Sequence, residues 1–125
     1  MEVKSYRDLI VWKKSMRLAF DIYNLVKQLP SEERYALADQ MRRAVVSIPS
    51  NIAEGKQRES LNDYKRFAFI AKGSLSELET QILLCEGFGY ITKEQSEIIM
   101  DQCAEISKML GSLIKKLSTG GNNQV

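Results

Sequence analysis

The sequence contains no histidine. That absence excludes an imidazole general base, a Ser-His or Cys-His nucleophile pair, a His-ligated metal and a His-based pH switch near neutrality. Cysteine is scarce as well: Cys85 and Cys103 make no CxxC motif and, without histidine, are too few for a metal site. They read as reduced, buried thiols. With 7 Gly and 2 Pro in 125 residues, the chain is neither collagen-like nor of low complexity. Long apolar runs of membrane-spanning length are missing. The stretch MEVKSYRDLIVW is charged throughout and lacks the apolar segment and small-residue cleavage site of a signal peptide. These absences lead us to expect one cytoplasmic domain that binds no metal or cofactor and does not touch a membrane.

What is present is helical periodicity. Leu9, Trp12, Met16, Ala19, Phe20, Tyr23 and Val26 mark a first helix over about 8–29, stopped by Pro30. Ser31 reads as the N-cap of a second over about 32–57, with Glu32 and Glu33 in its first turn. Its stripe is Tyr35, Leu37, Met41, Ala44, Val45, Ile48 and Ile52, and Pro49 should kink or divide it. Ser60 with Asp63 opens a third helix over about 60–87, with Leu61, Tyr64, Phe67, Ala68, Ala71, Leu75, Leu78, Ile82 and Cys85 on one side. Thr92 with Gln95 is a capping box for a fourth over about 93–118, carrying Ile98, Ile99, Ile106, Met109, Leu110, Leu113, Ile114 and Leu117. A disordered tail is expected over residues 119–125, behind a domain of residues 1–118. No strand-like alternation competes, and the connections are short, so the expected class is all-α: an antiparallel up-down-up-down four-helix bundle. In it Cys85 and Cys103 are offset by about 9 Å along the axis, more than the roughly 7 Å a disulfide tolerates.

A bundle gathers the start of the first helix, the end of the second, the start of the third and the end of the fourth at one pole. Residues 1–18, 45–73 and 106–125 together carry +8 and the remainder −6, in a chain whose net charge is only +2. The candidate phosphate-binding residues are Lys13, Lys14, Arg17, Arg42, Lys56, Arg58, Lys65, Arg66, Lys72, Lys115 and Lys116. The competing explanation is that cations near the ends of the second and fourth helices complement their dipoles. Trp12, Tyr64 and Phe67 fall on apolar stripes and read as core, which favours recognition of backbone or shape over base stacking.

On the second helix Arg43, Ser47, Asn51 and Glu54 align beside the apolar stripe, and the third answers with Gly73, Ser74, Glu77 and Glu79. Folding the two back about Arg58 suggests an Arg43–Glu77 ion pair. These polar residues lack a base, a nucleophile elbow or a phosphate-cradling glycine loop, so no enzyme is expected.

The segments YRDLIVWKKSMRLAFDIYNLVKQLP, LADQMRRAVVSIPSNIAEG, IAKGSLSELETQI and EISKMLGSLIKKL resemble the four-helix-bundle proteins encoded in intervening sequences of large-subunit (23S) ribosomal RNA. That family includes the accessory variability proteins of diversity-generating retroelements. The resemblance spans roughly residues 6–117. It implies a ring-shaped homopentamer with a basic surface for nucleic acid and no enzymatic activity. Its motif positions here are Arg42, Arg43, Ser47, Asn51, Glu54, Gly55, Gly73, Ser74 and Glu77; we assign most of them to packing and subunit contacts.

Two functions then stand side by side. One is an oligomeric module binding RNA or DNA backbones, accessory to a reverse transcriptase or associated with ribosomal RNA. The other is a protein adaptor or oligomeric scaffold that ignores free nucleic acid. Ile10, Val11 and Leu18 lie off the first helix's stripe, and Phe69 and Ile70 off the third's. Such excess apolar surface marks either a partner face or a broad core-facing stripe.

Overall fold

A computed structural model describes residues 5–120, and within them every regular element is helical. A 3-10 turn at Tyr6–Asp8 precedes α1 (Ile10–Leu25), followed by 3-10 turns at Val26–Gln28 and Ser31–Glu33, then α2 (Leu37–Lys56), α3 (Leu61–Gly87) and α4 (Lys93–Ser118). Each long helix packs against its two neighbours in the order α1, α2, α3, α4 and back to α1. This is the expected antiparallel four-helix bundle. Lys14 meets Glu105, Asp21 meets Gln102 and Gln28 meets Gln95 along the α1–α4 seam, which fixes its antiparallel register. None of the helices described is long and apolar enough to cross a membrane.

The ends of α3 and α4 follow their local signals. The Ser60 hydroxyl accepts from Asp63 N at 3.0 Å, and Thr92 and Gln95 form the reciprocal capping box. The ends of α1 and α2 differ from the sequence reading. Leu29, immediately before Pro30, is extended (φ −70°, ψ 147°), as proline demands of its predecessor, and the turn before it tightens to 3-10. α1 therefore stops at Leu25. Ser31 opens only a 3-10 turn and caps nothing, so α2 starts at Leu37, five residues beyond the expected start. A tertiary contact overrides the local cap here. Glu33 accepts from Tyr90 Oη at 2.8 Å through one carboxylate oxygen and from Leu37 N at 3.4 Å through the other. It thus ties the start of α2 to the α3–α4 turn. Tyr35, expected on the core stripe, is 85% exposed.

Pro49 does not divide α2: the helix runs through it, and the residue is buried. The core is built from Leu18 and Ile22 of α1, Met41, Val45, Ile48 and Ile52 of α2, Leu75, Leu78 and Ile82 of α3, and Ile106, Leu110 and Leu113 of α4. Cys85 and Cys103 are free and buried within it. Leu61 and Ile98, expected on core stripes, are exposed.

The largest correction concerns α1. Its core face is Val11, Ser15, Leu18, Ile22 and Leu25, whereas Phe20 and Tyr23 are exposed and Trp12, Met16 and Ala19 only half-buried. The helix carries two adjacent apolar faces, about 100° apart, and periodicity cannot choose between them. Packing does: Val, Leu and Ile fit layers shared by four helices, where Trp and Phe would overfill. Ser15 is tolerated there because its hydroxyl donates to Trp12 O at 2.8 Å.

Candidate nucleic-acid interface

The α2–α3 seam is set by a small polar clasp. Ser47 Oγ and Ser74 Oγ lie 2.9 Å apart, and Asn51 Nδ2 donates to Ser47 Oγ at 2.8 Å and to Ser47 O at 2.7 Å. At the end of the seam Gly55 allows the two helices to close. A Cβ at that position would sit 2.9 Å from Phe67 Cβ and 3.3 Å from Tyr64 O. The remaining polar positions singled out in the sequence do not join the clasp. Arg43 is exposed and pairs with Asp39 at 3.4 Å, and no Arg43–Glu77 ion pair forms among the described residues. Both side chains turn outward, and Asp39, one turn away on the same helix, captures the guanidinium. Glu54 pairs with Arg58 at 3.5 Å, and Gly73 faces open space.

The topology brings Lys13, Lys14 and Arg17 of α1, Lys56 of α2, Arg58 of the following turn, Lys65, Arg66 and Lys72 of α3, and Lys115 and Lys116 of α4 to one half of the bundle. Arg42 does not belong with them. It stands near the start of α2, at the opposite half, where Nη2 donates to Arg34 O at 3.0 Å and approaches Asp39 at 3.7 Å. Within the basic half, Lys14 pairs with Glu105 at 3.0 Å, Arg17 with Asp21 at 3.6 Å and Arg66 with Asp63 at 3.8 Å. Lys13, Lys56, Lys65, Lys72 and Lys115 enter no ion pair among the described residues. The Lys72 ammonium crosses towards Gly111 of α4.

Phe67 is buried, at 7% exposure, as its periodicity suggested, although it stands outside the contiguous core cluster. Two guanidiniums also lie over its ring: Arg58 Cζ is 4.8 Å and Arg66 Cζ 4.5 Å from the centroid. Spacing alone could not reveal this, because a stripe position says which way a side chain leans and not what meets it.

A second surface was also read as core. Trp12, Met16, Ala19, Phe20 and Tyr23 of α1 face Val46, Pro49, Ser50 and Ala53 of α2 across an open groove of about 490 Å³. On another side, α3 exposes Phe69, Ile70, Leu83 and Leu84.

Burial pushes the Cys85 thiol up to about 11 and the Cys103 thiol up to about 12, so both stay protonated near neutrality and are poor nucleophiles. No group of acidic or cysteine side chains among the described residues could hold a metal ion. The model of the 23S rRNA-intervening sequence protein family matches residues 7–112, and the chain belongs to that family. A solved structure of a protein of unknown function from the S23 ribosomal protein family of Bacteroides thetaiotaomicron is similar, with 36% identity and a TM-score of 0.79. The match covers 85% of this chain and 99% of that one. Among proteins with curated descriptions, none matches.

Proposed function

We propose that this chain is a non-enzymatic nucleic-acid-binding module that uses no cofactor, holds RNA or DNA by its backbone phosphates, and works in the cytoplasm as a homo-oligomer. The observation that carries the reading is the set of lysines without ion pairs among the described residues, Lys13, Lys56, Lys65, Lys72 and Lys115, gathered from all four helices. Dipole complementation explains Lys56 and Lys115 at helix C-termini. It does not explain Lys13 and Lys65, near the N-terminal ends of α1 and α3, where cations are disfavoured. The family's link to intervening sequences of 23S rRNA favours ribosomal RNA as the target. Service to a reverse transcriptase is the variant suggested by the retroelement members.

Oligomerisation is supported by the apolar surface. The α1–α2 groove is concave, and the exposed apolar side chains of α3 lie on a different face of the same chain. Two unlike surfaces that pair with each other make a head-to-tail contact, which closes into a ring when the rotation allows. A pentamer, as the resemblance implies, would present five basic poles to one nucleic acid and gain avidity.

The test measures binding to a structured RNA and to duplex DNA across a salt series, with oligomer mass determined in the same buffers. Binding that is sequence-tolerant and falls steeply with salt supports the reading, since each phosphate contact contributes about 0.9 to the log–log slope. A folded oligomer that binds neither, even at low salt, turns the assignment to the protein adaptor.

A further inference from the structure

From the packing at the α2–α3 turn, we infer that Phe67 is a platform holding Arg58 and Arg66 as a two-guanidinium clamp for the phosphodiester backbone, and that Glu54 and Asp63 mask the clamp until nucleic acid displaces them. The inference rests on the nucleic-acid reading and assigns it a centre.

The ring is buried, stands outside the contiguous core cluster and has both guanidiniums over it. Both guanidinium carbons lie within 5 Å of one centroid, so they are at most about 9 Å apart. Two like charges are held that close about one ring, in the half of the molecule that already carries excess positive charge. An anion relieves that repulsion, and the planar fork of arginine suits phosphate oxygens. Stacking also fixes side chains that would otherwise lose rotamer freedom on binding, so the clamp is preorganised.

The masking pairs are weak by geometry. Arg58 meets Glu54 at 3.5 Å and Arg66 meets Asp63 at 3.8 Å, with all four side chains substantially exposed. Exposed pairs of this kind contribute little and exchange readily for a better anion. Gly55 supports the platform from behind, since a side chain there would push against Phe67 Cβ at 2.9 Å. Lys56 and Lys65 flank the clamp in sequence and extend the charged track.

The decisive experiment uses the full chain with a labelled RNA duplex and a labelled DNA duplex of equal length, titrated at several salt concentrations. Phe67→Leu keeps an apolar side chain and leaves the net charge unchanged. It should weaken binding to both by about tenfold and lower the salt slope by about 1 to 2, as if one or two phosphate contacts were lost. Unchanged affinity and slope in a folded Phe67→Leu protein overturn the clamp while leaving the wider reading intact. Failure of the unaltered protein to bind at low salt overturns both. Should Phe67→Leu not fold, Glu54→Gln and Glu59→Gln decide, since each removes one negative charge at the same turn but only Glu54 touches a clamp arginine. Several-fold tighter binding by Glu54→Gln than by Glu59→Gln supports masking, and equal affinities overturn it.

Discussion

The two ends of the bundle use their polar side chains in opposite ways. At the acidic end, groups near the turns hold the chain to itself. Glu33 joins Tyr90 to the start of α2, Thr92 and Gln95 cap α4, and Gln95 exchanges amide hydrogen bonds with Gln28. At the basic end, Lys56 and Lys65 have no ion-pair partner among the described residues, and Arg58 and Arg66 are held by a ring and by long, exposed ion pairs. One end is organised to close the fold and the other presents charge that the fold itself does not consume. Net charge near zero hides this, because the asymmetry lies in where topology puts the charges.

The comparison breaks most readily at the level of binding. Reversing Lys56, Lys65 and Lys72 to Glu should lower affinity for duplex RNA by at least about a hundredfold at low salt. Reversing Lys27, Arg43 and Lys93, which changes net charge equally at the acidic half, should lower it by less than about fivefold. Equal losses would show that total charge alone governs binding.

Stability differs at the two turns by mechanism. Gly55→Ala forces a Cβ against Phe67 and Tyr64 and should destabilise by about 1 to 3 kcal/mol. Gly89→Ala meets nothing within 4 Å, but φ is +80°, so the penalty is backbone strain of about 1 kcal/mol. Urea melts of both variants, with RNA binding measured alongside, separate them: only the Gly55 change should also weaken binding. Tyr90→Phe should destabilise slightly by removing the hydrogen bond to Glu33, without altering affinity for RNA.

The smallest effect is a decline at alkaline pH. Burial raises Cys85 from 9.0 to about 11, with Glu33 adding a lesser push, raises Cys103 from 9.0 to about 12 and raises Tyr64 from 10.0 to about 12. Each raised group contributes stability that is fully present below its unfolded value and is lost as pH rises through its folded value. Stability should therefore fall from about pH 9 upward. Melts of Cys85→Ala, Cys103→Ala protein should show a flatter decline between about pH 9 and 10, and an identical slope would remove the thiols from the account.

Legibility in the sequence follows how local each signal is. The start of α4 at Thr92–Gln95 and the start of α3 at Ser60 were readable because a cap and its partner are three residues apart. The start of α2 was not, because Glu33 answers to Tyr90, far along the chain. The Ser47–Ser74 clasp and the place of Gly55 needed the α2–α3 register. The basic half was readable from topology alone, apart from Arg42, which the bundle puts at the other half.

The sequence by itself determined the four helices, their antiparallel order and the polarity of charge along them, since each follows from local periodicity, short connections and position along a helix. Only the tertiary structure decided which of α1's two apolar faces enters the core and that two arginines lie over the Phe67 ring. Periodicity belongs to one helix, whereas the choice of face depends on the volumes that three other helices bring to the same layer.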